Sequence, residues 1–249
     1  MFRSAFFGNP AAVIPLEHWL PDETMQAIAE ENNLSETVFF VPVEEHFYIR
    51  WFTPNKEVKL CGHATLASAF VLFEVLGYKK ESIVFDSLSG PLIVTRQNGM
   101  LTMDFPAQVP VKCDLPEALV KGLGAVPFEC YKNEDYVVVF ESEQDVLNIK
   151  PDHRYLEKLD LRGVIVTAPS VKQDFVARFF APKLGIPEDP VTGSAYTQLT
   201  PYWSERIGKT KLSGRQVSQR GGQVFCEIKG DRVFISGRAV KYMEGLIEF

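Results

Sequence analysis

Two short glycine-containing segments are the parts of this sequence best suited to chemistry. Gly62-His63 and Thr192-Gly193-Ser194 each precede a mostly apolar segment of helical length. The start of a helix presents unpaired N–H groups and a partial positive charge, so it can bind a carboxylate without a metal ion. Glycine at each start lets a ligand approach the backbone closely. The alternative is that His63 and Ser194 only cap their helices.

Asp189 and Glu36 are the acidic residues whose neighbours favour a role in a site. Asp189 precedes Pro190, which favours an extended backbone outside the following helix. Its carboxylate could hold a substrate amine, or it could cap the helix. Glu36 stands between a predicted helix and a predicted apolar strand, where a desolvated carboxyl group could transfer protons. The alternative for Glu36 is a solvent-facing position at a strand edge.

The cysteines and histidines do not form a recognisable metal site. Cys61 next to a helix start could be an activated thiolate or a small buried apolar residue. The four cysteines contain no CxxC pair, which favours reduced thiols, and the histidines contain no HxH or HxxxH pair. No GxGxxG, GxxxxGK or GxSxG motif is present. The sequence therefore predicts no metal and no cofactor.

Composition and local sequence argue against several classes of protein. The net charge of −6, from 26 basic and 32 acidic residues, argues against nucleic acid as a partner, since phosphate binding favours a basic surface. No apolar run reaches the roughly 18 residues of a membrane helix. The first residues lack a clean apolar core and a cleavage site, so no signal peptide is predicted. These features predict a cytoplasmic protein that does not bind a membrane.

The elements that position these residues follow the same plan in both halves of the chain. Residues 22–32 form a predicted helix with Asp22 as N-cap, and two buried helices are predicted after residues 62–65 and 192–194. Strands are predicted at 36–41, 47–52, 82–86, 91–96, 101–105, 136–140, 163–168, 175–180, 223–228 and 232–236, with an apolar strand-like tail at 245–249. This repetition is typical of an old duplication of one α+β unit.

A proline-rich segment at residues 106–116 predicts the domain boundary. The expected domains are residues 1–105, to which residues 239–249 return, and residues 106–238. Both are expected to be α+β.

Several blocks occur in an order that resembles the PhzF-like isomerase family of phenazine biosynthesis. They cover essentially the whole chain and are GNPAAV (8–13), NLSETVF (33–39), RWFTP with LCGHATLA (50–67), EDPVTGSA with PYW (188–203) and RQVSQRGG (215–222). The resemblance implies a diaminopimelate-epimerase-like fold. Two pseudo-symmetric domains would each wrap a curved, mostly antiparallel sheet around a central helix, with the active site in the cleft between them.

The resemblance also implies roles for individual residues. The acid/base glutamate of the family corresponds to Glu36, its cleft histidine to His63, and its cleft aspartate and serine to Asp189 and Ser194. The expected activity is a cofactor-independent isomerase that moves a proton between carbons of a small carboxylate-bearing metabolite. A homodimer is implied as well. The segment 1–7 is shorter than the first strand of family members.

Two alternatives remain open at this point. A racemase or epimerase could use Glu36 with Cys61, which resembles the first cysteine of two-thiol epimerases. The matching turn in the second half of the chain contains no cysteine, which disfavours a two-cysteine reaction. A family member without turnover could instead bind a metabolite or a protein partner.

Overall fold

The computed structural model describes residues 6–248 and divides into two compact units. Unit 1 runs to Met103 and resumes at Gly237, and unit 2 runs from Asp104 to Ser236. That these units correspond to the predicted domains, residues 1–105 with 239–249 and residues 106–238, stays a prediction. The expectation that the segment before Gly8 is shorter than the first strand of family members concerns mainly residues 1–5, which lie outside the described residues.

Unit 1 combines one main sheet with two α-helices. Its elements are β1 (Ala11–Pro15), α1 (Asp22–Asn32), β2 (Glu36–Val43), β3 (His46–Phe52), β4 (Glu57–Val58), α2 (Gly62–Phe70), β5 (Ser82–Asp86), β6 (Leu92–Gln97) and β7 (Met100–Pro106), whose last residues extend into unit 2. The strand order is β1-β2-β3-β5-β6-β7, with β4 paired to β3. The pairs β1–β2 and β3–β5 are parallel, and β2–β3, β3–β4, β5–β6 and β6–β7 are antiparallel. Helix α2 packs on β1 and β2 and continues as a π-helical turn, Val71–Val75.

Helix α1 shows how local sequence and packing together fix an element beside the candidate site. Its buried residues, Met25, Ile28 and Ala29, pack in one cluster with Phe39 and Phe52. The prediction that Asp22 is the N-cap is wrong, because Pro21 occupies that position and Asp22 is the first helical residue. The Asp22 carboxylate instead accepts a hydrogen bond from Arg50 Nη1 at 2.8 Å.

The C-terminal end of α1 turns the chain directly into β2. Asn33 adopts the left-handed conformation, with φ 46° and ψ 38°, and its N–H donates to Ala29 O and Glu30 O. Asparagine tolerates this conformation better than most residues. The turn brings Glu36 to the first position of β2.

Unit 2 has the longer sheet and a helix that is buried over most of its length. Its elements are β8 (Val111–Lys112), α3 (Glu117–Leu123), β9 (Glu129–Lys132), β10 (Tyr136–Val139), α4 (Glu143–Asn148), α5 (His153–Leu156), β11 (Val164–Pro169), β12 (Phe175–Ala181), β13 (Ile186–Asp189), α6 (Ala195–Ile207), β14 (Lys211–Gln216), β15 (Gly222–Lys229) and β16 (Arg232–Gly237). The strand order is β16-β15-β14-β12-β11-β10-β9-β8, with β13 paired to β12. The pairs β10–β11 and β12–β14 are parallel, and β8–β9, β9–β10, β11–β12, β12–β13, β14–β15 and β15–β16 are antiparallel.

Helix α6 is buried from Ala195 to Trp203 and packs on β14 and β15. Pro201 lies inside it and cannot donate a hydrogen bond to the carbonyl of Thr197. The N–H of Gln108 fills this gap by donating to Thr197 O at 3.0 Å. A loop outside the helix therefore satisfies the carbonyl that proline leaves open.

A further finding concerns the C-terminal tail. The prediction of a strand-like tail is wrong for residues 245–248, which form no strand. Leu246 is 96% exposed and Ile247 is also exposed, so these side chains gain no burial from regular structure. Phe249 lies outside the described residues.

Among residues 6–248, every helix is too short or too polar to cross a lipid bilayer.

Gly214 offers a test of how tightly unit 2 is packed. A Cβ atom there would lie 2.7 Å from the Phe175 ring and 2.7 Å from Tyr196 Cε1. We expect Gly214→Ala to lower the free energy of unfolding by about 1–3 kcal/mol, because overpacking forces neighbouring rings to move. Urea denaturation measures this change. Gly237→Ala is the control, since its nearest contact would be an ordinary 3.5 Å to Leu66, and an equal loss in both variants would contradict the packing argument.

Candidate functional site

Glu36 is a buried acid at the start of a buried strand. The whole residue is 8% exposed, and Thr37 to Val41 after it are buried. In the parallel register Glu36 lies opposite Ala11 of β1. Its Oε2 atom has no hydrogen-bond partner within the described part of the chain. A buried carboxylate oxygen without a hydrogen-bond partner is an unusual feature, because buried charges are normally paired and hydrogen-bonded.

His63 contacts Glu36 from the first turn of α2. Its Nε2 atom lies 3.2 Å from Glu36 Oε2, an ion-pair distance at which the two groups lack the alignment of a hydrogen bond. On the other edge of the ring, His63 Nδ1 lies 3.4 Å from Cys61 Sγ and 3.3 Å from Asn9 Nδ2. Helix α2 starts at Gly62, directly between the cysteine and the histidine. The imidazole is thereby held between a thiol and a carboxylate.

The electrostatics of this cluster favour a protonated imidazole. Burial alone lowers the pKa of His63, but the adjacent Cys61 sulfur and the Glu36 carboxylate oppose burial and raise that pKa well above its ordinary value. Burial is also the main cause that raises the pKa of the Cys61 thiol. Of the two contacts that raise the pKa of His63, the one with Cys61 is the larger and the one with Glu36 adds to it.

The same cluster offers three types of donor atom. One ligand atom each from Glu36, Cys61 and His63 lies within 4.8 Å of the others. Sulfur, nitrogen and carboxylate oxygen are all donors that zinc accepts in proteins. The expectation that no metal is required therefore stays a prediction that needs a direct test.

In unit 2, the segment from Asp189 to Ser194 is held by a buried glutamine. Gln216 Oε1 accepts from the Thr192 backbone N–H at 2.9 Å, and Gln216 Nε2 donates to Asp189 O at 2.7 Å. Asp189 and Thr192 are themselves buried, and the Thr192 hydroxyl donates to the Asp189 carboxylate. Ser218 Oγ adds a bond to Pro190 O at 2.8 Å. The turn before α6 is thus fixed by side chains that follow it in sequence.

Ser194 occupies the N-cap position of α6, but its side chain makes no capping hydrogen bond. Its Oγ atom instead accepts a hydrogen bond from Arg162 Nη2 at 3.0 Å. Because a guanidinium can only donate, Ser194 Oγ is the acceptor in this contact and its O–H remains available to donate. The reading of Ser194 as a simple helix cap is therefore wrong. The same holds for His63, since α2 has Cys61 at its N-cap position and no side-chain cap.

Arg162 is itself held by a fully buried carboxylate. Its Nε and Nη2 atoms donate to the two oxygens of Asp135 at 2.9 and 2.6 Å, a bidentate pair. Gln198 of α6 donates to the same carboxylate at 2.9 Å, and Glu134 lies 3.1 Å from Arg162 Nη1. This network orients the guanidinium toward Ser194.

The candidate residues therefore form two groups. Gly62 and His63 join Glu36 in unit 1, and a second group in unit 2 consists of Asp189, Thr192, Gly193 and Ser194. Sequence reasoning missed Arg162 and Asp135, for which no local motif exists, and assigned no role to Gln216, although this residue lies in the RQVSQRGG block. A cavity of about 580 Å³ near α3 and α4 is lined by none of these residues.

Comparisons with known proteins agree over nearly the full length of the chain. The family profile described as "Phenazine biosynthesis-like protein" matches residues 2–245. An uncharacterized isomerase of Pseudomonas aeruginosa is 50% identical over 244 residues, which cover 98% of this chain and 94% of that protein. A crystal structure of a PhzF-family phenazine biosynthesis protein from Enterococcus faecalis aligns with a TM-score of 0.93 at 48% identity, covering 95% of this chain and 92% of that one.

A more distant structure is similar in fold alone. A probable proline racemase from Agrobacterium radiobacter aligns with a TM-score of 0.57 at 10% identity, over 91% of this chain and 82% of that one.

The contact between Glu36 and His63 predicts how the imidazole titrates. In an NMR titration of the ring, the wild-type midpoint should lie above the ordinary value of about 6.5. Glu36→Gln should lower the midpoint, because it removes the carboxylate and leaves the burial that disfavours the imidazolium form. Glu57→Gln is the control, since Glu57 pairs with Arg50 and its loss should leave the midpoint in place. An unchanged or higher midpoint in Glu36→Gln would contradict this description.

Proposed function

Because this chain belongs to the phenazine biosynthesis-like (PhzF) family and is an isomerase, we propose that Glu36 is its general acid/base. Glu36 would move a proton between carbons of a small carboxylate-bearing metabolite. The predicted family, the isomerase class and the α+β, diaminopimelate-epimerase-like fold are confirmed. One observation carries the proposal about Glu36. Its carboxylate is buried, with Oε2 3.2 Å from His63 Nε2 and without a hydrogen-bond partner in the described region.

Proton transfer at carbon needs a base with a free lone pair. A buried carboxylate oxygen without a hydrogen-bond partner can take a proton from one carbon and return it to another. Before the transfer, the imidazolium form of His63 would stabilise the ionised carboxylate of Glu36. During the transfer, it would stabilise the negative charge that develops on the substrate. Holding one base beside two carbons is mainly a positioning task, which a strand start and a helix start can perform.

The substrate anion would be bound by backbone and hydroxyl donors. The first turn of α2 would offer N–H groups, with Gly62 allowing a close approach. Before α6 the N–H groups of Gly193 and Ser194 would do so, because those of Ala195, Tyr196 and Thr197 already donate to carbonyls of the turn. Ser194 would donate its hydroxyl hydrogen to a substrate oxygen, since Arg162 already occupies its acceptor side. Asp189 and Thr192 would complete the subsite. That the two groups of residues bind one substrate in a cleft stays a prediction from the family resemblance.

The distances argue against an epimerase that uses Glu36 with Cys61. Two groups that act on opposite faces of one carbon must each lie about 3–3.5 Å from it, and hence roughly 6–7 Å apart. The reactive atoms of Glu36 and Cys61 lie within 4.8 Å of each other, with the ring of His63 in contact with both. A single base is therefore the better proposal.

The other expectations stay predictions of the same proposal. A homodimer is implied by the family resemblance, and a cytoplasmic location by the composition. A family member that binds a metabolite or protein without turnover is the remaining alternative, and the next experiment separates it from an enzyme.

We expect Glu36→Gln to abolish isomerisation, with a loss of at least about 100-fold, because glutamine keeps the shape of the side chain but cannot accept a proton. A metabolite extract is incubated with each protein in deuterated water containing EDTA. Mass spectrometry then detects a substrate that gains deuterium at carbon or converts to an isomer of equal mass. EDTA is included because no metal is expected to be needed.

Glu57→Gln should behave like the wild type in this assay, since Glu57 pairs with Arg50. Retention of most activity in Glu36→Gln would contradict the assignment of the base. Binding of a metabolite by wild-type protein, without exchange or isomerisation, would favour the non-catalytic alternative.

Arg162 and Ser194 should act as one unit on substrate binding. With the substrate identified above, we expect Ser194→Ala and Arg162→Lys each to raise KM by roughly 3- to 10-fold with little change in kcat. Ser194→Ala removes the hydroxyl donor, and Arg162→Lys removes the bidentate guanidinium that orients it. The double variant should be little worse than either single one, since both changes affect the same donor. Arg206→Lys, which alters an ion pair with Glu129, is the control. Fully additive effects would mean that Arg162 does not act through Ser194.

A further inference from the structure

Two cysteines outside the proposed site lie opposite each other on neighbouring strands. Strands β8 and β9 are antiparallel, with Lys112 opposite Tyr131, so the next pair in register is Cys113 with Cys130. The Cys113 N–H donates to Cys130 O at 3.0 Å, which continues the ladder by one residue. The two sulfur atoms are 3.4 Å apart, and both thiols are free.

This backbone arrangement suits a disulfide. Directly opposite residues of an antiparallel pair have Cα atoms about 4.5–5.5 Å apart, within the range of about 4.4–6.8 Å that disulfides span. Bond formation at about 2.05 Å requires the sulfurs to approach by about 1.4 Å. Strand β8 stands at the end of the strand order of unit 2, and its two residues are exposed. The edge of the sheet can therefore yield by the small distance needed.

We propose that Cys113 and Cys130 are a reversible dithiol pair that forms an intramolecular disulfide with a low-molecular-weight disulfide as oxidant. The bond ties β8 to β9 and closes the loop that contains α3. Leu119 and Leu123 of α3 pack in the same core cluster as Cys130, with Cys113 at its margin. The crosslink thus staples an edge strand and a helix to the core of unit 2.

The two thiols differ in exposure, and this difference indicates which of them reacts with the oxidant first. Cys113 is half-buried, whereas Cys130 is buried. Burial is the main cause that raises the pKa of Cys130 to about 12, and the contact with Cys113 adds to it. Cys113 is therefore the thiol that meets the oxidant first. The contribution of Cys113 to the raised pKa disappears once Cys113 is bound in a mixed disulfide.

The exchange balances with two electrons. The Cys113 thiolate attacks one sulfur of the oxidant, whose S–S bond breaks, and the first small thiolate leaves and takes up the proton lost by Cys113. Cys130 then loses its proton and attacks Cys113 Sγ, which releases the second small thiolate, and that thiolate takes up the proton. The protein dithiol is oxidised to one disulfide, and the oxidant is reduced to two thiols.

The test uses full-length protein, reduced and then exposed to glutathione disulfide. We expect the wild type to lose two hydrogens in intact mass, and non-reducing peptide mapping to join the peptides of Cys113 and Cys130. Dithiothreitol should reverse the change. The oxidised protein should unfold several degrees higher than the reduced one, because the crosslink restricts the unfolded chain.

Single variants separate a dithiol pair from general thiol reactivity. Cys130→Ser should retain a glutathione adduct on Cys113, and Cys113→Ser should form neither the adduct on Cys130 nor the crosslink. Cys226→Ala, which alters a buried thiol in another core cluster, should oxidise like the wild type. Thermal unfolding of each reduced variant confirms that it is folded.

Three results would overturn the proposal. They are a wild-type protein that carries only glutathione adducts or intermolecular crosslinks, a Cys113→Ser variant in which Cys130 reacts as fast as Cys113 does in the wild type, and an oxidised protein whose unfolding temperature does not rise. None of these outcomes depends on isomerase activity, so the proposal stands or falls separately from the role of Glu36.

Discussion

The Glu36 carboxylate and the His63 imidazole share a largely buried position where strand β2 begins, and the chemistry available to unit 1 depends on this contact. Removing a charge from water is costly unless an opposite charge or hydrogen bonds compensate. Here the compensation is partial, because Glu36 Oε2 is 3.2 Å from His63 Nε2 but lacks a hydrogen-bond partner in the described chain.

The elements around this pair keep the two groups in place. Asn33 ends α1 in a left-handed turn that delivers Glu36 to β2, and the start of α2 presents His63. Met25 and Phe39 lie in the apolar cluster that anchors α1 to β2. Because protein interiors are closely packed, such anchors limit how far the carboxylate and the ring can separate. Positioning of this kind is what a single-base isomerase requires from its fold.

Unit 2 holds its candidate residues by another route, with a network of buried polar side chains that includes the ion pair between Arg162 and Asp135. Gln216 satisfies two backbone groups of the turn before α6, and Asp135 receives hydrogen bonds from both Arg162 and Gln198. Polar networks in a low-dielectric interior are valuable when every member is satisfied and costly when one is lost.

Local patterns in the sequence determined the helix over residues 22–32, most strand positions and the existence of the two apolar helices, because each depends on neighbours within a few positions. The order of the sequence blocks along the chain indicated the family. The patterns overestimated the burial of α2, in which only Ala64, Thr65, Ser68 and Ala69 are buried. The same patterns placed Glu36, His63 and Ser194 at element starts, and Asp189 in extended backbone before α6. Only the tertiary structure decided what these side chains contact. Arg162 reaches Ser194 across 32 positions and Gln216 reaches Thr192 across 24, and no periodicity encodes such pairs. Likewise, Pro201 is tolerated in α6 because Gln108 donates to the carbonyl it leaves open. The tail at 245–248 forms no strand, and its Leu246 and Ile247 side chains are exposed.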